Sequence, residues 1–365
     1  MSGETILVAA GGTGGHLFPA EALAHALRAR GFTVDLATDT RAEKYGQAFP
    51  ARNTYAIPAA TPTGGGAAAK ANAIATLGRG VVSCVPLLRR LRPAVVVGFG
   101  GYPTVPPLVA ASLLKIPSVL HEQNAVMGRA NRFLAGRVHK IATGFPLSRA
   151  DAAVLAKGVV TGNPLRPAVL EAAKQPYPAF ENGALNVLVT GGSQGAKVFS
   201  DIVPAAIEAL TPQERARMKL VQQARGEDRE RVLATYARIG FAAEVEPFFK
   251  DLPARIAGAH LLIARSGAST VAEVAAIGRP AILVPFPFAI DADQAANAAE
   301  LARTGAVEVI DQKLFTVEKL TELLRAALAD PAGLTKRAQA AKSAGILDAA
   351  DRLADIVVGQ IRSKD

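Results

Sequence analysis

The chain of 365 residues is long enough for about two domains, each with its own core. Half of its residues are hydrophobic, and the single cysteine, Cys84, excludes a disulfide framework and fits a reducing compartment. The N-terminus lacks the pattern of a signal peptide, and no stretch approaches the roughly 20 apolar residues of a membrane span. We therefore expect a cytoplasmic protein, or one attached to a membrane only peripherally.

The net charge of +10 lies entirely in the first half of the chain. Residues 1–160 contain 17 Lys and Arg against 7 Asp and Glu, whereas residues 161–365 contain 24 of each kind. A basic half favours an anionic partner such as a phosphate ligand or a lipid headgroup. The chain lacks the interleaved basic and aromatic residues and the modules of nucleic-acid-binding proteins, so we expect no nucleic acid partner.

An apolar run near the N-terminus, residues 6–10, leads directly into a glycine-rich turn, residues 11–15 (GGTGG), and then into His16. Leu23 and Leu27 follow at helical spacing in an Ala-rich segment. A strand, a glycine turn and a helix form a βα unit whose free N–H groups and helix N-terminus bind anions. His16 lies at the mouth of this turn, where an imidazole can act on a phosphate-bearing ligand.

A basic and apolar segment follows a second predicted strand, residues 33–37. Residues 59–80 are rich in Gly, Ala, Pro and Thr, which predicts a loop. Apolar residues recur at helical spacing at Ile74, Leu77, Val81, Val85 and Leu88, with basic residues at Arg79, Arg89, Arg90 and Arg92. Two interpretations remain open: a helix that packs on the core with a solvated basic face, or an interfacial helix on anionic lipid.

Two further predicted strands end in glycine or polar residues. Residues 94–97 lead into GFGGY, which ends at Tyr102, and residues 117–120 lead into the polar run HEQN, residues 121–124. The carboxyl ends of parallel strands line the ligand crevice of such sheets. His16, Tyr102 and the HEQN run are therefore expected to face one cleft, and the two histidines there favour a functional role over a structural one.

The second half repeats the pattern of the first. After an interdomain crossing at residues 161–167 (TGNPLRP), three apolar runs precede GGSQGAK (191–197), RSGAST (265–270) and a Phe/Pro loop (286–288). This arrangement predicts an α/β protein with two Rossmann-like doubly wound domains that face each other across a cleft. We expect the domains at residues 1–161 and 162–344, with a helix of about residues 345–365 as a candidate to return to the first domain.

Motifs for common cofactors are incomplete. Leu17 stands where a dinucleotide fingerprint needs its last glycine, and Ala196 stands where a P-loop needs the glycine before lysine. Asp291 and Asp293 could hold a divalent metal, although a polar helix start explains them equally well. No His/Cys cluster has metal-ligand spacing. We therefore expect no metal and no cofactor.

Six motifs in order carry a resemblance to a known family. They are GGTGGH (11–16), GGY (100–102), HEQN (121–124), GNPLR (162–166), GGSQG (191–195) and RSGAST (265–270). Together they closely resemble the bacterial UDP-N-acetylglucosamine–N-acetylmuramyl-(pentapeptide) pyrophosphoryl-undecaprenol N-acetylglucosamine transferases, over essentially the whole chain. The resemblance implies a glycosyltransferase of the GT-B type at the cytoplasmic face of the bacterial inner membrane. Such an enzyme transfers GlcNAc from UDP-GlcNAc to the 4-hydroxyl of MurNAc in lipid I, forming lipid II with inversion.

The resemblance also implies where the donor UDP-GlcNAc binds. Ser193 and Arg166 would approach the phosphates, Glu273 the ribose, the backbone at Phe248 and Phe249 the uracil, and Gln294 the GlcNAc hydroxyls. The other donor-binding positions that it implies are Thr13, Gly14, Gly15, Asn124, Ala268, Ser269, Thr270, Val271 and Ala272. In one place the chain departs from the family, because Asp293 precedes Gln294 where a second amide or a histidine is common.

On the acceptor side, the resemblance points to Tyr102 and His121 as lipid I contacts. His16 is our candidate for the general base that deprotonates the acceptor hydroxyl, since an imidazole accepts a proton near neutral pH. Alternatively, His16 only hydrogen-bonds a diphosphate, and Glu122 or a water molecule takes the proton. The basic first half fits a lipid-linked diphosphate at an anionic membrane surface.

Two other functions fit part of the pattern. One is a different GT-B enzyme that acts on UDP-GlcNAc, such as a 2-epimerase or a glycolipid synthase. The other is a non-catalytic protein that binds a nucleotide sugar. The combined GGTGGH and HEQN motifs argue against the first, and the presence of His16, Glu122, Glu273 and Gln294 argues against the second.

Overall fold

The computed structural model describes residues 3–11, 14–39, 49–62, 66–192, 195–288 and 292–361. The chain divides into two compact units, one formed by Met1–Arg166 with Leu347–Asp365 and the other by Pro167–Ile346. We call them the N-terminal unit and the C-terminal unit. Each contains a parallel sheet with helices on both faces, the doubly wound α/β architecture that the sequence predicts.

The sheet of the N-terminal unit has the strand order β3-β2-β1-β4-β5-β6-β7 among the described residues. Its strands are β1 (Thr5–Ala9), β2 (Thr33–Thr38), β3 (Thr54–Ala56), β4 (Val95–Gly98), β5 (Ser118–Glu122), β6 (Lys140–Thr143) and β7 (Gly158–Val160). The order reverses between β1 and β4, where Ile6 pairs with both Val34 and Val95. Ligands of doubly wound sheets bind outside the carboxyl strand ends at this point.

Helices cover the two faces of this sheet with separate apolar clusters. The helices of the unit are α1 (Gly14–Ala29), α2 (Ala67–Leu91), α3 (Val105–Leu113), α4 (Arg129–Ala135), α5 (Ala152–Lys157) and α15 (Ala349–Val358). The last of these, α15, comes from the end of the chain and buries Leu353 and Val357 in the cluster that α1 also covers. Arg30, just after α1, donates to Asp355 over 2.6 Å and to Asp351 over 3.1 Å.

The loop prediction for residues 59–80 is wrong from Ala67 onward, where α2 begins. The segment is rich in alanine, the best helix former, and its glycines do not prevent the helix. Gly80 is required there, because a Cβ atom would lie 2.3 Å from the carbonyl oxygen of Pro58. The predicted core face is also shifted, since Leu87 is buried while Ile74 is 62% exposed.

The expectation that no segment could span a membrane also needs correction. Within the described residues, α2 is long and apolar enough for a crossing by length and composition alone. Only 22% of its most apolar window is buried. It nevertheless packs on the sheet through Cys84 and Leu88, both about 1% exposed. Burial raises the pKa of the Cys84 thiol to about 12, which keeps it protonated.

The sheet of the C-terminal unit has the strand order β10-β9-β8-β11-β12-β13 among the described residues. Its strands are β8 (Leu185–Thr190), β9 (Met218–Gln223), β10 (Ala243–Glu246), β11 (Leu261–Ala264), β12 (Ala281–Leu283) and β13 (Val307–Val309). Its helices are α6 (Pro167–Ala173), α7 (Lys197–Glu208), α8 (Pro212–Ala216), α9 (Gly226–Arg238), α10 (Leu252–Gly258), α11 (Ala268–Ile277), α12 (Asp293–Ala302), α13 (Val317–Ala329) and α14 (Pro331–Ala344). The order reverses between β8 and β11, so the carboxyl ends of these two strands are its expected binding edge.

Candidate active site

His16 lies in the first turn of α1, directly beyond the turn that follows β1. Its half-buried ring packs against the backbone at the end of β4. A Cβ atom at Gly100 would lie 3.4 Å from its Cε1 atom, and one at Gly101 would lie 3.4 Å from its Nε2 atom. Both glycines have a positive φ, +85° and +72°, which side chains rarely adopt. The GGY motif therefore provides a close backbone wall for the imidazole.

Gln123 links His16 to His121 through hydrogen bonds. Nδ1 of His16 lies 3.2 Å from Oε1 of Gln123, and Nε2 of Gln123 lies 3.1 Å from Nδ1 of His121. Nε2 of Gln123 also donates to the carbonyl oxygen of Phe99 over 2.9 Å. The backbone oxygen of Gln123 accepts from the amide of Asn163 over 3.0 Å. The HEQN and GNPLR motifs thus meet at this point behind His16.

His121, expected to touch the acceptor, is fully buried. Its Nε2 atom lies 3.3 Å from the carbonyl oxygen of Gly162, and its ring packs 5.3 Å from that of Phe99. Burial lowers the pKa of His121 to about 4, an effect opposed by the Gly162 hydrogen bond and reinforced by His16. A neutral ring with partners at both nitrogens offers no free nitrogen to a ligand.

Glu122, the alternative general base, is 2% exposed, and both of its carboxylate oxygens accept hydrogen bonds. Oε1 accepts from the backbone N–H of Asn124 over 3.0 Å and from its side-chain amide over 3.2 Å. Oε2 accepts from the N–H of Gly128 over 3.0 Å and from Asn131 over 2.7 Å. The carboxylate therefore shapes the loop after β5 and orients Asn124.

The remaining N-terminal residues of the candidate site lie close to α1 or to the end of β4. Gly14 allows Phe18 to fold back, since a Cβ atom there would lie 2.9 Å from its ring. The guanidinium of Arg166 lies 3.9 Å above the same ring. Gly15 is exposed at the helix start, and Tyr102 is half-buried in a short 3-10 turn after β4. Thr13 lies outside the described residues.

The glycine turn of the C-terminal unit follows β8. Gly192 and Gly195 have φ angles of +79° and +69°, and a Cβ atom at Gly191 would lie 2.3 Å from the backbone nitrogen of Ala196. A residue with a side chain at any of these three positions therefore could not form this turn without strain. The helix α7 starts immediately afterwards, at Lys197. Ser193 lies outside the described residues.

Gln223, at the carboxyl end of β9, holds this turn and was not singled out from the sequence. Its Oε1 accepts from the N–H of Gly191 over 2.9 Å and from the hydroxyl of Thr190 over 3.0 Å. Its Nε2 donates to the carbonyl oxygens of Gly192, over 2.9 Å, and Pro247, over 3.1 Å. One buried amide thus joins the glycine turn to the segment that precedes Phe248 and Phe249. A polar residue at the end of a strand beside β8 was the available signal.

The segment after Pro247 carries two phenylalanines whose rings differ in their exposure to solvent. Phe248 is 52% exposed, whereas Phe249 is 6% exposed under the guanidinium of Arg255, which lies 4.5 Å from its ring. The buried ring anchors the segment, so its backbone is held in a defined position at the carboxyl edge of the sheet.

The RSGAST motif ends β11 and begins α11. Ala268, Val271 and Glu273 are buried, while Ser269, Thr270 and Ala272 are half-buried. Arg265 donates to the carbonyl oxygens of Val284 and Pro285 and to Gln312 over 2.6 Å. Burial lowers the pKa of this guanidinium.

The same motif holds the start of α12 in place. Ser266 donates to the backbone oxygen of Gln294 over 2.8 Å, and Asn297 donates to the backbone oxygen of Ser266 over 3.3 Å. The side-chain oxygen of Gln294 accepts from the N–H of Phe286 over 3.0 Å. That bond fixes which end of the Gln294 amide is the oxygen and therefore which end is the NH₂ donor. The N–H of Gln294 itself is bonded to the carboxylate of Asp293.

Among the described residues, no group of three or more His, Cys, Asp or Glu side chains could hold a metal ion. Asp291, the partner of Asp293 in the possible metal pair, lies outside the described residues.

The Gln223 contacts predict an effect on donor binding. Replacement by leucine leaves the partly buried N–H of Gly191 and two carbonyl oxygens without their partner, at up to about 1–3 kcal/mol for each group. We expect Gln223→Leu to weaken UDP binding about 10-fold to 100-fold, measured by titration calorimetry on the full chain. Gln222→Leu is the matched control, because Gln222 is equally buried but bonds Tyr236 and Phe199 instead of the turn. Equal losses in both variants would contradict the prediction.

The chain is similar to known proteins over most of its length. Residues 6–143 match the family model for the N-terminal domain of glycosyltransferase family 28, and residues 186–353 match that for its C-terminal domain. The UDP-N-acetylglucosamine–N-acetylmuramyl-(pentapeptide) pyrophosphoryl-undecaprenol N-acetylglucosamine transferase of Methylobacterium radiotolerans is 58% identical over 97% of both chains. The transferase of the same name from Brucella suis is 53% identical over 98% of this chain and 95% of its own.

Solved structures extend the comparison to the fold. The crystal structure of Acinetobacter baumannii MurG is 30% identical, with a TM-score of 0.78 over 98% of this chain and 100% of its own. A UDP-GlcNAc 2-epimerase from Neisseria meningitidis shares the fold alone, at 13% identity and a TM-score of 0.69 over 98% of this chain and 100% of its own.

Proposed function

The chain belongs to glycosyltransferase family 28, and we propose that it moves GlcNAc from UDP-GlcNAc to the 4-hydroxyl of MurNAc in lipid I, forming lipid II with inversion. The full-length similarity to transferases of that name carries this proposal. The epimerase alternative has only a similar fold in its favour. The GT-B architecture of two Rossmann-like units fits the division of such an enzyme into an acceptor half and a donor half.

Inversion requires the acceptor oxygen to attack the anomeric carbon from the face opposite the departing UDP, through an oxocarbenium-like state. The acceptor hydroxyl becomes more nucleophilic when a base takes its proton. We assign this role to His16. Its Nδ1 atom is hydrogen-bonded to Gln123, its ring lies close to the backbone at Gly100 and Gly101, and among the described residues its Nε2 atom has no hydrogen-bond partner. The saturated carboxylate of Glu122 is better suited to orient Asn124 than to accept a proton.

The donor half of the proposal follows the C-terminal unit. The glycine turn at residues 191–196, with Ser193, binds the diphosphate, since turn N–H groups and a helix N-terminus stabilise the charge of departing UDP. Arg166, the last residue of the first segment of the N-terminal unit, is a further proposed diphosphate contact. Glu273 accepts from the ribose hydroxyls. The backbone at Phe249 holds the uracil edge, and the amide of Gln294 binds a GlcNAc hydroxyl. Residues 268–272, at the start of α11, complete the donor contacts.

The contacts proposed for the N-terminal unit are fewer. Thr13, Gly14 and Gly15 bind a diphosphate at the start of α1. Asn124, oriented by Glu122, contacts the donor, and Tyr102 contacts the acceptor. Because His121 is fully buried, we now assign it to the support of Gln123 instead of a direct acceptor contact.

We further propose that the N-terminal unit rests on the anionic cytoplasmic surface of the bacterial inner membrane. Residues 51–150 contain 12 Lys and Arg but only one acidic residue, the buried Glu122. On α2, Ile74 is 62% and Val82 73% exposed, and the arginines of this helix are exposed as well. Apolar side chains surrounded by basic ones are typical of interfacial helices.

Loss of these charges predicts weaker membrane binding. Each basic residue near an anionic surface contributes about 1 kcal/mol, so replacing Arg79, Arg89 and Arg90 with glutamine is expected to lower binding to anionic liposomes about 100-fold. Sedimentation with vesicles of phosphatidylglycerol measures the effect. Unchanged binding would contradict the proposal.

A control variant with the same change in net charge distinguishes the effect of this basic surface on vesicle binding from that of net charge alone. Replacing Lys174, Arg303 and Lys313, which are exposed in the C-terminal unit, removes the same number of charges. We expect this variant to sediment nearly as the unaltered protein does, because these residues are not part of the basic surface of the N-terminal unit and attraction to the vesicle is screened within about 10 Å.

Transfer of labelled GlcNAc from UDP-GlcNAc to a lipid I analogue tests the proposed function directly, with and without a chelator. Product in the presence of chelator is expected, because turn N–H groups and Arg166 supply the positive charge for the leaving group. Loss of product in the presence of chelator would instead indicate that Asp291 and Asp293 bind a metal ion. Donor binding without product in either condition would refute lipid I as the acceptor.

A further inference from the structure

Gln123 stands between two histidines and determines which nitrogen of His16 can accept a proton. We propose that Gln123 is a positioning residue that holds neutral His16 in the Nδ1–H tautomer, so that Nε2 is the basic nitrogen. The inference rests on the proposed role of His16 as general base and adds how the chain prepares that base.

The orientation of the Gln123 amide follows from a carbonyl group. The backbone oxygen of Phe99 lies 2.9 Å from one end of the amide, and a carbonyl oxygen can only accept a hydrogen bond. That end must therefore be the NH₂ group. The other end, 3.2 Å from Nδ1 of His16, must then be the oxygen. Since an amide oxygen only accepts, Nδ1 of His16 has to carry a hydrogen.

The same reasoning determines the tautomer of His121. Its Nε2 faces the carbonyl oxygen of Gly162 over 3.3 Å and must donate to it. Its Nδ1 faces the NH₂ group of Gln123 over 3.1 Å and must accept from it. If His121 were doubly protonated, its Nδ1–H would face the NH₂ group of Gln123, and two donors would meet without an acceptor. Burial, which lowers the pKa of His121 to about 4, independently keeps this ring neutral.

The arrangement suits a base that gains and then loses a proton. When the acceptor O–H bond breaks, the proton forms an N–H bond at Nε2 of His16, the oxygen bonds the anomeric carbon, and the bond to UDP breaks with its electron pair. Nδ1 keeps its hydrogen bond to Gln123 throughout, because an imidazolium also donates there. At Gly100 and Gly101 the absence of a side chain leaves room for the ring, since an added Cβ atom would lie 3.4 Å from its Cε1 or Nε2 atom.

Nitrogen-15 NMR of the histidine rings in the full chain tests the tautomer without reference to activity. The chain has five histidines, and the signals that vanish in His16→Asn assign His16. Above neutral pH we expect a protonated Nδ1 and an unprotonated Nε2. A protonated Nε2 with a bare Nδ1 would overturn the inference.

Two variants test the cause. In Gln123→Met the acceptor at Nδ1 is lost, so the ring is expected to shift toward the Nε2–H tautomer, and kcat is expected to fall about 100-fold or more, as a wrong tautomer does in other histidine bases. In His121→Phe the Phe99 carbonyl still orients Gln123, so the His16 tautomer is expected to persist. Persistence of the Nδ1–H tautomer in Gln123→Met, or its loss in His121→Phe, would overturn the inference.

The outcomes separate this inference from the proposed function. A tautomer that shifts in Gln123→Met together with a lower kcat and unchanged donor affinity supports both. A tautomer that shifts while kcat stays unchanged supports the positioning role of Gln123 and refutes His16 as the base. Gln222 is a buried glutamine of the C-terminal unit, so the variant Gln222→Met controls for the loss of a buried amide. A similar fall of kcat in this variant would refute the specific role of Gln123.

Discussion

Replacing His16 with asparagine is expected to lower kcat for GlcNAc transfer about 10²-fold to 10⁴-fold, the usual contribution of a general base. Asparagine is chosen because its NH₂ group can occupy the position of Nδ1 and keep the hydrogen bond to Gln123, while the basic Nε2 disappears. The affinity for UDP-GlcNAc is expected to change little. Steady-state transfer kinetics combined with donor titration measures both quantities.

The alternative role of His16, a hydrogen bond to a diphosphate, predicts a different pattern. Loss of a contact that is equally strong in substrate and transition state raises KM and leaves kcat unchanged. A variant with higher KM and nearly normal kcat would therefore move the base role elsewhere. His25→Asn is the matched control, because His25 lies on the same helix, about two and a half turns later, with a 44% exposed side chain. We expect its kinetics to be unaltered.

The βα units could be predicted from the sequence because their signals are local. An apolar run before glycines identifies β1, β4, β8 and β11, and the polar residues after them mark the binding edge. The start of α2 was missed because alanine and glycine together also describe a loop, and only the close approach of Gly80 to Pro58 shows why glycine belongs in that helix.

The individual roles within the HEQN run could not be predicted from spacing. Neighbouring residues at a strand end point in opposite directions, so Glu122 turns to the Asn131 side while Gln123 turns to His16. Which of the two meets the imidazole depends on the carbonyl of Phe99, a backbone group without a sequence signal. The position of Gln223 at a strand end was visible in the sequence, but its role was not, since its partners are mostly backbone atoms of the glycine turn.

Protonation of His121 is expected to lower the stability of the N-terminal unit by about 3 kcal/mol between about pH 7 and about pH 4. Burial holds the pKa of His121 at about 4, below its ordinary value of 6.5. Between these values the unfolded chain binds a proton that the folded chain excludes, so the folded state loses stability as the pH falls. The contribution is complete above the unfolded pKa and is lost as the pH approaches the folded one.

Hydrogen exchange of β5 peptides in the full chain, corrected for intrinsic rates, measures this loss within one unit. In His121→Phe the titrating group is absent, while an aromatic ring still packs on Phe99. The variant lacks the hydrogen bond to Gly162, so its β5 amides are expected to be less protected from exchange at neutral pH. Their protection should nevertheless vary less with pH than in the unaltered protein. A pH dependence of the same size in both proteins would assign the acid sensitivity to other groups. It would also remove one support for a neutral His121 behind Gln123, because a ring that is readily protonated could not accept from its amide.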